Sequence, residues 1–175
     1  MRKRTAAVGS AVFFLAAPGV VAGLVPWWLT DWQVKEPLPF MTPALVLGAV
    51  LLVAGLAVLV RAFWRFVVEG LGTPAPVAAP DRLVVGGPYR YVRNPMYVAV
   101  IAVIVGQALL LGQPVLLAYA AVVWMAVGSF VRFYEEPELG RRFGAEYAAY
   151  RRAVPAWWPR LRPWRPDHYD GPEAE

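Results

Sequence analysis

Two stretches of this 175-residue chain bring together residue types that can do chemistry. The first is Gly86-Gly87-Pro88-Tyr89-Arg90-Tyr91-Val92-Arg93-Asn94-Pro95-Met96-Tyr97. Arg90 and Arg93 supply fixed positive charge, while the glycines and prolines dictate where the backbone turns and where it stiffens. Such a loop can hold an anionic group, from a cofactor or a lipid head group. The second is Arg132 with Glu135-Glu136-Pro137-Glu138-Leu139. Two adjacent acids and an arginine within one helical turn can form an ion pair with Arg90 or Arg93 across the mouth of a pocket. Each stretch also has a purely structural explanation. Asn94-Pro95 is a good cap and first-turn pair for a helix beginning at Met96, and a helix start itself attracts anions. A carboxylate beside Pro137 favours a helix start through the helix dipole. Arg90 and Tyr91 are equally at home as head-group anchors.

Composition excludes several chemistries. The chain has no cysteine, so disulfides, thiol nucleophiles and thiolate metal sites are absent. Its single histidine, His168, lies in a polar tail, which leaves no basis for a His-based metal site within one chain. Hydrophobic residues make up 59% of the chain and its mean hydropathy is +0.48, above the soluble norm. The net charge of +5 comes without any nucleic-acid motif, and the basic residues flank apolar runs, so membrane topology explains it better than a polyanion partner.

The elements that must position the two stretches follow from the spacing of charge. Residues 5–30 carry no ionisable group, follow Arg2-Lys3-Arg4 and end in Trp27-Trp28; they read as a first span, with a cleaved signal peptide as the rival reading. Residues 38–60 read as a second span, with Gly48 and Gly55 allowing a neighbouring helix close. The proline-rich residues 73–80 form an extended connector to the arginine loop. Residues 96–131 are uncharged and broken at Gly112-Gln113-Pro114, which fits a tight helical hairpin whose arms borrow flanking residues such as Arg132-Phe133-Tyr134. From Glu135 to Arg152 the apolar residues Leu139, Phe143, Tyr147 and Tyr150 recur near helical spacing, as in an amphipathic surface helix.

The expected architecture is therefore all-α: a polytopic membrane protein with about four transmembrane helices and a cytoplasmic amphipathic C-terminal helix. Its parts are two N-terminal spans (1–68), a cofactor loop (69–95), a hairpin (96–134), the amphipathic helix (135–154) and an interfacial tail (155–175). Of the 17 Lys and Arg residues, all but Lys35 fall on one side of this arrangement. That places both termini, the loop and the surface helix in the cytoplasm, at the inner membrane.

The arginine loop, followed after a hairpin by Glu135-Glu136-Pro137-Glu138-Leu139 and by Phe143-Gly144-Ala145-Glu146-Tyr147-Ala148-Ala149-Tyr150, resembles the isoprenylcysteine carboxyl methyltransferase family, which is related to the phospholipid methyltransferases. The resemblance covers roughly residues 82–159. It implies an integral membrane enzyme that transfers a methyl group from S-adenosyl-L-methionine to a lipophilic or lipidated acceptor; composition already argues against metal and nucleic acid as partners. It further implies that Tyr89, Arg93, Asn94, Pro95, Tyr97, Glu135 and Glu136 lie against the cofactor, with Arg93, Glu136 and Arg132 closest to the reaction. Where the family often has histidine this chain has Asn94, which can hydrogen-bond but not exchange a proton near neutral pH. Two other classes are compatible with the pattern, a membrane reductase using NADPH and a non-catalytic membrane scaffold. Neither the acceptor nor the oligomeric state is legible in the sequence.

Overall fold

The computed structural model describes residues 17–35, 41–70 and 82–165. The N-terminal half of the expected first span, the proline-rich connector and His168 lie outside the described residues. Every regular element among the described residues is helical. Helix α1 runs Ala17–Thr30, α2 Met41–Gly70, α3 Pro95–Leu111, α4 Pro114–Phe130 and α5 Glu136–Ala153, with a 3-10 turn at Gly87–Arg90. Two stretches, Thr42–Arg65 and Pro114–Ala153, are long and apolar enough to cross a membrane; α1 and α3 are shorter apolar helices. Val46, Val50 and Val53 of α2 are each more than half exposed, the pattern of a helix whose outer face meets lipid instead of a protein core.

Helices α2 and α3 pack backbone against backbone. A Cβ on Gly106 would stand 2.8 Å from the carbonyl oxygen of Gly48 and 2.8 Å from the amide of Leu52, and one on Gly55 would stand 2.9 Å from Val103. Only the absence of side chains permits this approach, the usual way of gaining contact where lipid removes the hydrophobic incentive. The main core cluster grows around this seam: Leu59, Val100, Ile104 and Leu116 are buried, with Val21 and Leu29 of α1 packed against them.

Gly112, at φ 62°, closes α3 and Pro114 begins α4, so the hairpin turns where the sequence breaks. The buried amide of Gln113 donates to the carbonyl of Gln33 at 2.8 Å, tying the turn to the loop after α1.

Both π turns among the described residues end two residues before a proline: Val20–Leu24 before Pro26, and Val131–Glu135 before Pro137. Proline lacks an N–H and its ring crowds the carbonyl four residues back, a conflict that a widened turn relieves. In α1, Pro26 has no proton to give Val21 or Ala22. Those two carbonyls are taken instead by the hydroxyl of Tyr119 (2.9 Å) and the amide of Gln107 (2.7 Å), so the polar residues of the hairpin satisfy the backbone groups that Pro26 leaves open.

The second π turn has a larger consequence. Helix α4 does not end at the last apolar residue but runs through it into α5, so the expected surface helix is a direct continuation of the span. Nor is α5 straight. Gly144 has φ 47° and ψ −117°, and the chain breaks there into two arms. The stretch expected to be an interfacial tail also differs. Over residues 155–165 it lies along the arginine loop, where Pro155, Ala156, Arg160 and Trp164 exchange backbone hydrogen bonds with Arg93, Asn94, Tyr91 and Arg90.

Candidate active site

Three segments distant in sequence meet at one end of the helices: the loop ending in Asn94, the π turn with the start of α5, and the end of α5 with residues 154–156. The loop enters through the 3-10 turn, where Gly87 at φ 54° lies against the Arg65 side chain, and Tyr89 is buried with Val84 and Ala62. Tyr150 then donates its hydroxyl proton to the carbonyl of Tyr89 at 2.7 Å, joining α5 to the loop.

Arg93 is the hub. Its side chain is 11% exposed and donates through Nη1 to Glu136 Oε1 at 2.8 Å and to the Tyr147 hydroxyl at 3.0 Å, and through Nε to the carbonyl of Val154 at 2.9 Å. Glu136, 10% exposed, is shared: its other oxygen lies 3.2 Å from Arg151 and 3.7 Å from Arg132. A half-buried carboxylate held by three guanidiniums is well compensated, and the surroundings retain a surplus of positive charge. Glu135 faces elsewhere and accepts a hydrogen bond from the Tyr97 hydroxyl at 3.1 Å. Consecutive residues on a helix point about 100° apart, so the two neighbouring carboxylates reach different partners.

A cavity of about 60 Å³ lies among these groups, bordered by Tyr89, Arg93, Asn94, Glu135, Glu136 and Tyr147, with Leu139 and Phe143 as apolar wall. Five of the residues expected at a cofactor thus share one cavity. Pro95 is fully buried at the first turn of α3, and Tyr97 reaches the cavity only through Glu135. Arg132 faces a separate outer groove. Asn94 occupies the cap position of α3 but its side chain makes no capping bond; it donates to the carbonyl of Ala156 at 3.1 Å. Arg90 lies outside the Glu136 cluster, with Nε on the carbonyl of Trp164 at 2.8 Å.

Sequence reading of the site missed Tyr147, Arg151 and the carbonyls of Val154 and Ala156. Tyr147 was legible only as part of an apolar stripe, which it is, being 4% exposed; nothing in its spacing signals the hydroxyl's contact with Arg93. Among the described residues every buried side-chain nitrogen or oxygen has a partner.

Apolar helices of membrane-crossing length that end in a half-buried cluster of arginines and glutamates define a membrane protein with a polar site at one end of its helices. The phospholipid methyltransferase family matches residues 43–146, more than half of the chain, from the second helix through the π turn to just past the break in α5. The chain belongs to that family, which makes it a membrane methyltransferase. No curated protein and no solved structure matches it.

Proposed function

We propose that this protein transfers a methyl group from S-adenosylmethionine to a lipophilic acceptor, either a carboxylate of the isoprenylcysteine kind or a lipid amine. The observation that carries this reading is the 2.8 Å pairing of Arg93 with Glu136 beside one cavity, contributed by stretches 43 positions apart and both within the family match. The donor set fits the cofactor. Glu136 suits an ammonium or a ribose diol, Arg93 suits a carboxylate, and Tyr89, Tyr147 and Phe143 offer ring faces and edges for an adenine. The cavity is smaller than a nucleoside, so its walls must part on binding.

S-adenosylmethionine supplies a methyl group already activated on a sulfonium, so the protein's task is alignment and exclusion of water. Arg93 keeps Glu136 oriented, and the apolar ends of α3 and α4 keep the site dry. Asn94 favours an acceptor that needs no proton removed. A carboxylate is ionised at neutral pH, whereas an ammonium must first be deprotonated. The charge asymmetry of the chain supports a cytoplasmic orientation for this site, at the inner membrane.

The test is a thermal-shift titration of the detergent-solubilised protein with S-adenosylmethionine, S-adenosylhomocysteine and NADPH. The two sulfur nucleosides raise the melting temperature of the wild type and NADPH does not. Glu136→Gln still unfolds cooperatively but shows no shift. Unaltered cofactor binding in that variant, or a shift with NADPH alone, would falsify the reading.

A further inference from the structure

Beside the cofactor cavity, a groove of about 660 Å³ opens on the outer side of α5. Its wall and rim are Arg132, Arg151 and Arg152, with Glu136 between them. Glu136 already has its Oε1 on Arg93, so the three groove arginines face less than one full compensating charge. The break at Gly144 creates the concavity by folding the second arm back on the first. Gly140 and Gly144 line it, and neither has any atom within 4 Å of where a Cβ would stand.

Position narrows the ligand. Arg132 follows the apolar helix directly, and Phe130, Phe133 and Tyr134 around it are 39%, 80% and 48% exposed, a cluster of rings of the kind found at the level of lipid head groups. A cationic recess opening at that level meets lipid phosphates at high local concentration, and anionic leaflets concentrate them further. We propose that this groove binds the phosphate of an anionic lipid head group, held by Arg132, Arg151 and Arg152. The lipid is a resident ligand, not the methyl acceptor, and the proposal does not rest on methyl transfer.

Native mass spectrometry of the full-length protein, released from micelles doped with phosphatidylglycerol or with phosphatidylcholine, tests this. The wild type retains phosphatidylglycerol in clear excess over phosphatidylcholine. Arg151→Gln and Arg152→Gln each lower that retention about fivefold, the effect of one lost arginine near an anionic surface. Gly140→Leu lowers it as well, although it removes no charge and its Cβ meets no atom within 4 Å, because the side chain occupies the groove. Arg61→Gln and Arg82→Gln, exposed basic residues elsewhere, leave retention unchanged. Should Arg151→Gln fail to fold, Arg152→Gln and Gly140→Leu decide the matter, since neither removes an ion pair of Glu136. Equal retention in those two variants, equal retention of phosphatidylcholine by the wild type, or displacement of the lipid by millimolar inorganic phosphate overturns the proposal.

Discussion

Arg151 and Glu136 belong to a single helical run, yet Arg151 Nη2 lies 3.2 Å from Glu136 Oε2. At a rise of about 1.5 Å per residue, a straight helix would hold the two roughly 22 Å apart along its axis. The ion pair exists because Gly144 turns the second arm back, and the same turn brings the Tyr147 hydroxyl to Arg93 and the Tyr150 hydroxyl to Tyr89.

Gly144→Ala therefore destabilises the protein through its backbone. The glycine's φ of 47° with ψ of −117° is a region that side chains rarely enter, and a residue forced there costs about 1–3 kcal/mol. Nothing stands within 4 Å of the added methyl, so steric contact contributes nothing. Thermal unfolding in detergent should show a melting temperature lower by several degrees. An unchanged value refutes the strain at this turn.

Arg93 and Arg132 both pair with Glu136 but should differ sharply on substitution. Arg93→Lys keeps the charge yet cannot reach Glu136, Tyr147 and the Val154 carbonyl at once, and leaves half-buried acceptors unmet; the expected loss is about 2–3 kcal/mol of stability, with cofactor affinity reduced in parallel. Arg132 is 68% exposed at 3.7 Å, so Arg132→Gln should cost less than about 1 kcal/mol. Comparable losses in denaturant titrations would contradict the assignment of Arg93 as the hub.

The seam between α2 and α3 predicts a contrast between two glycines. Gly106→Ala places a methyl group 2.8 Å from backbone atoms of α2, which cannot rotate aside, so the helices must part at a cost of about 1–3 kcal/mol. Gly128→Ala meets nothing within 4 Å and should be neutral or stabilising by up to about 1 kcal/mol, as helical Gly→Ala generally is. Unfolding midpoints of the two variants check this directly.

The carbonyls beside Pro26 allow a double-mutant cycle. Gln107→Leu leaves the Ala22 carbonyl without its side-chain donor. Pro26→Ala restores an N–H four residues along, so Gln107→Leu should cost about 0.5–1.5 kcal/mol less in the Pro26→Ala background than alone. Additivity of the two substitutions would show that the amide serves some purpose other than satisfying that carbonyl.

Much of this protein follows from its sequence. Uninterrupted apolar runs can bury their backbone polar groups only as helices, so the helical class, the hairpin turn at Gly112-Gln113-Pro114 and the close approach at Gly48 and Gly55 can be read before any coordinates. The reading of Arg93 and Glu136 as one cluster rests on charge placement and on the resemblance, both visible in the chain. Three features came only from the tertiary structure. Periodicity registers which residues share a helical face but is blind to a single reversed φ, so the apolar spacing from Leu139 to Tyr150 looks the same whether α5 is straight or folded at Gly144. Residues 155–165 dock on the arginine loop through main-chain hydrogen bonds, which carry no side-chain signature. Charge placement alone leaves Arg90 and Arg93 equal as partners of Glu136, and only the resemblance favours Arg93; the structure shows the Arg90 guanidinium turned to the Trp164 carbonyl instead, a matter of three-dimensional direction that residue type cannot encode.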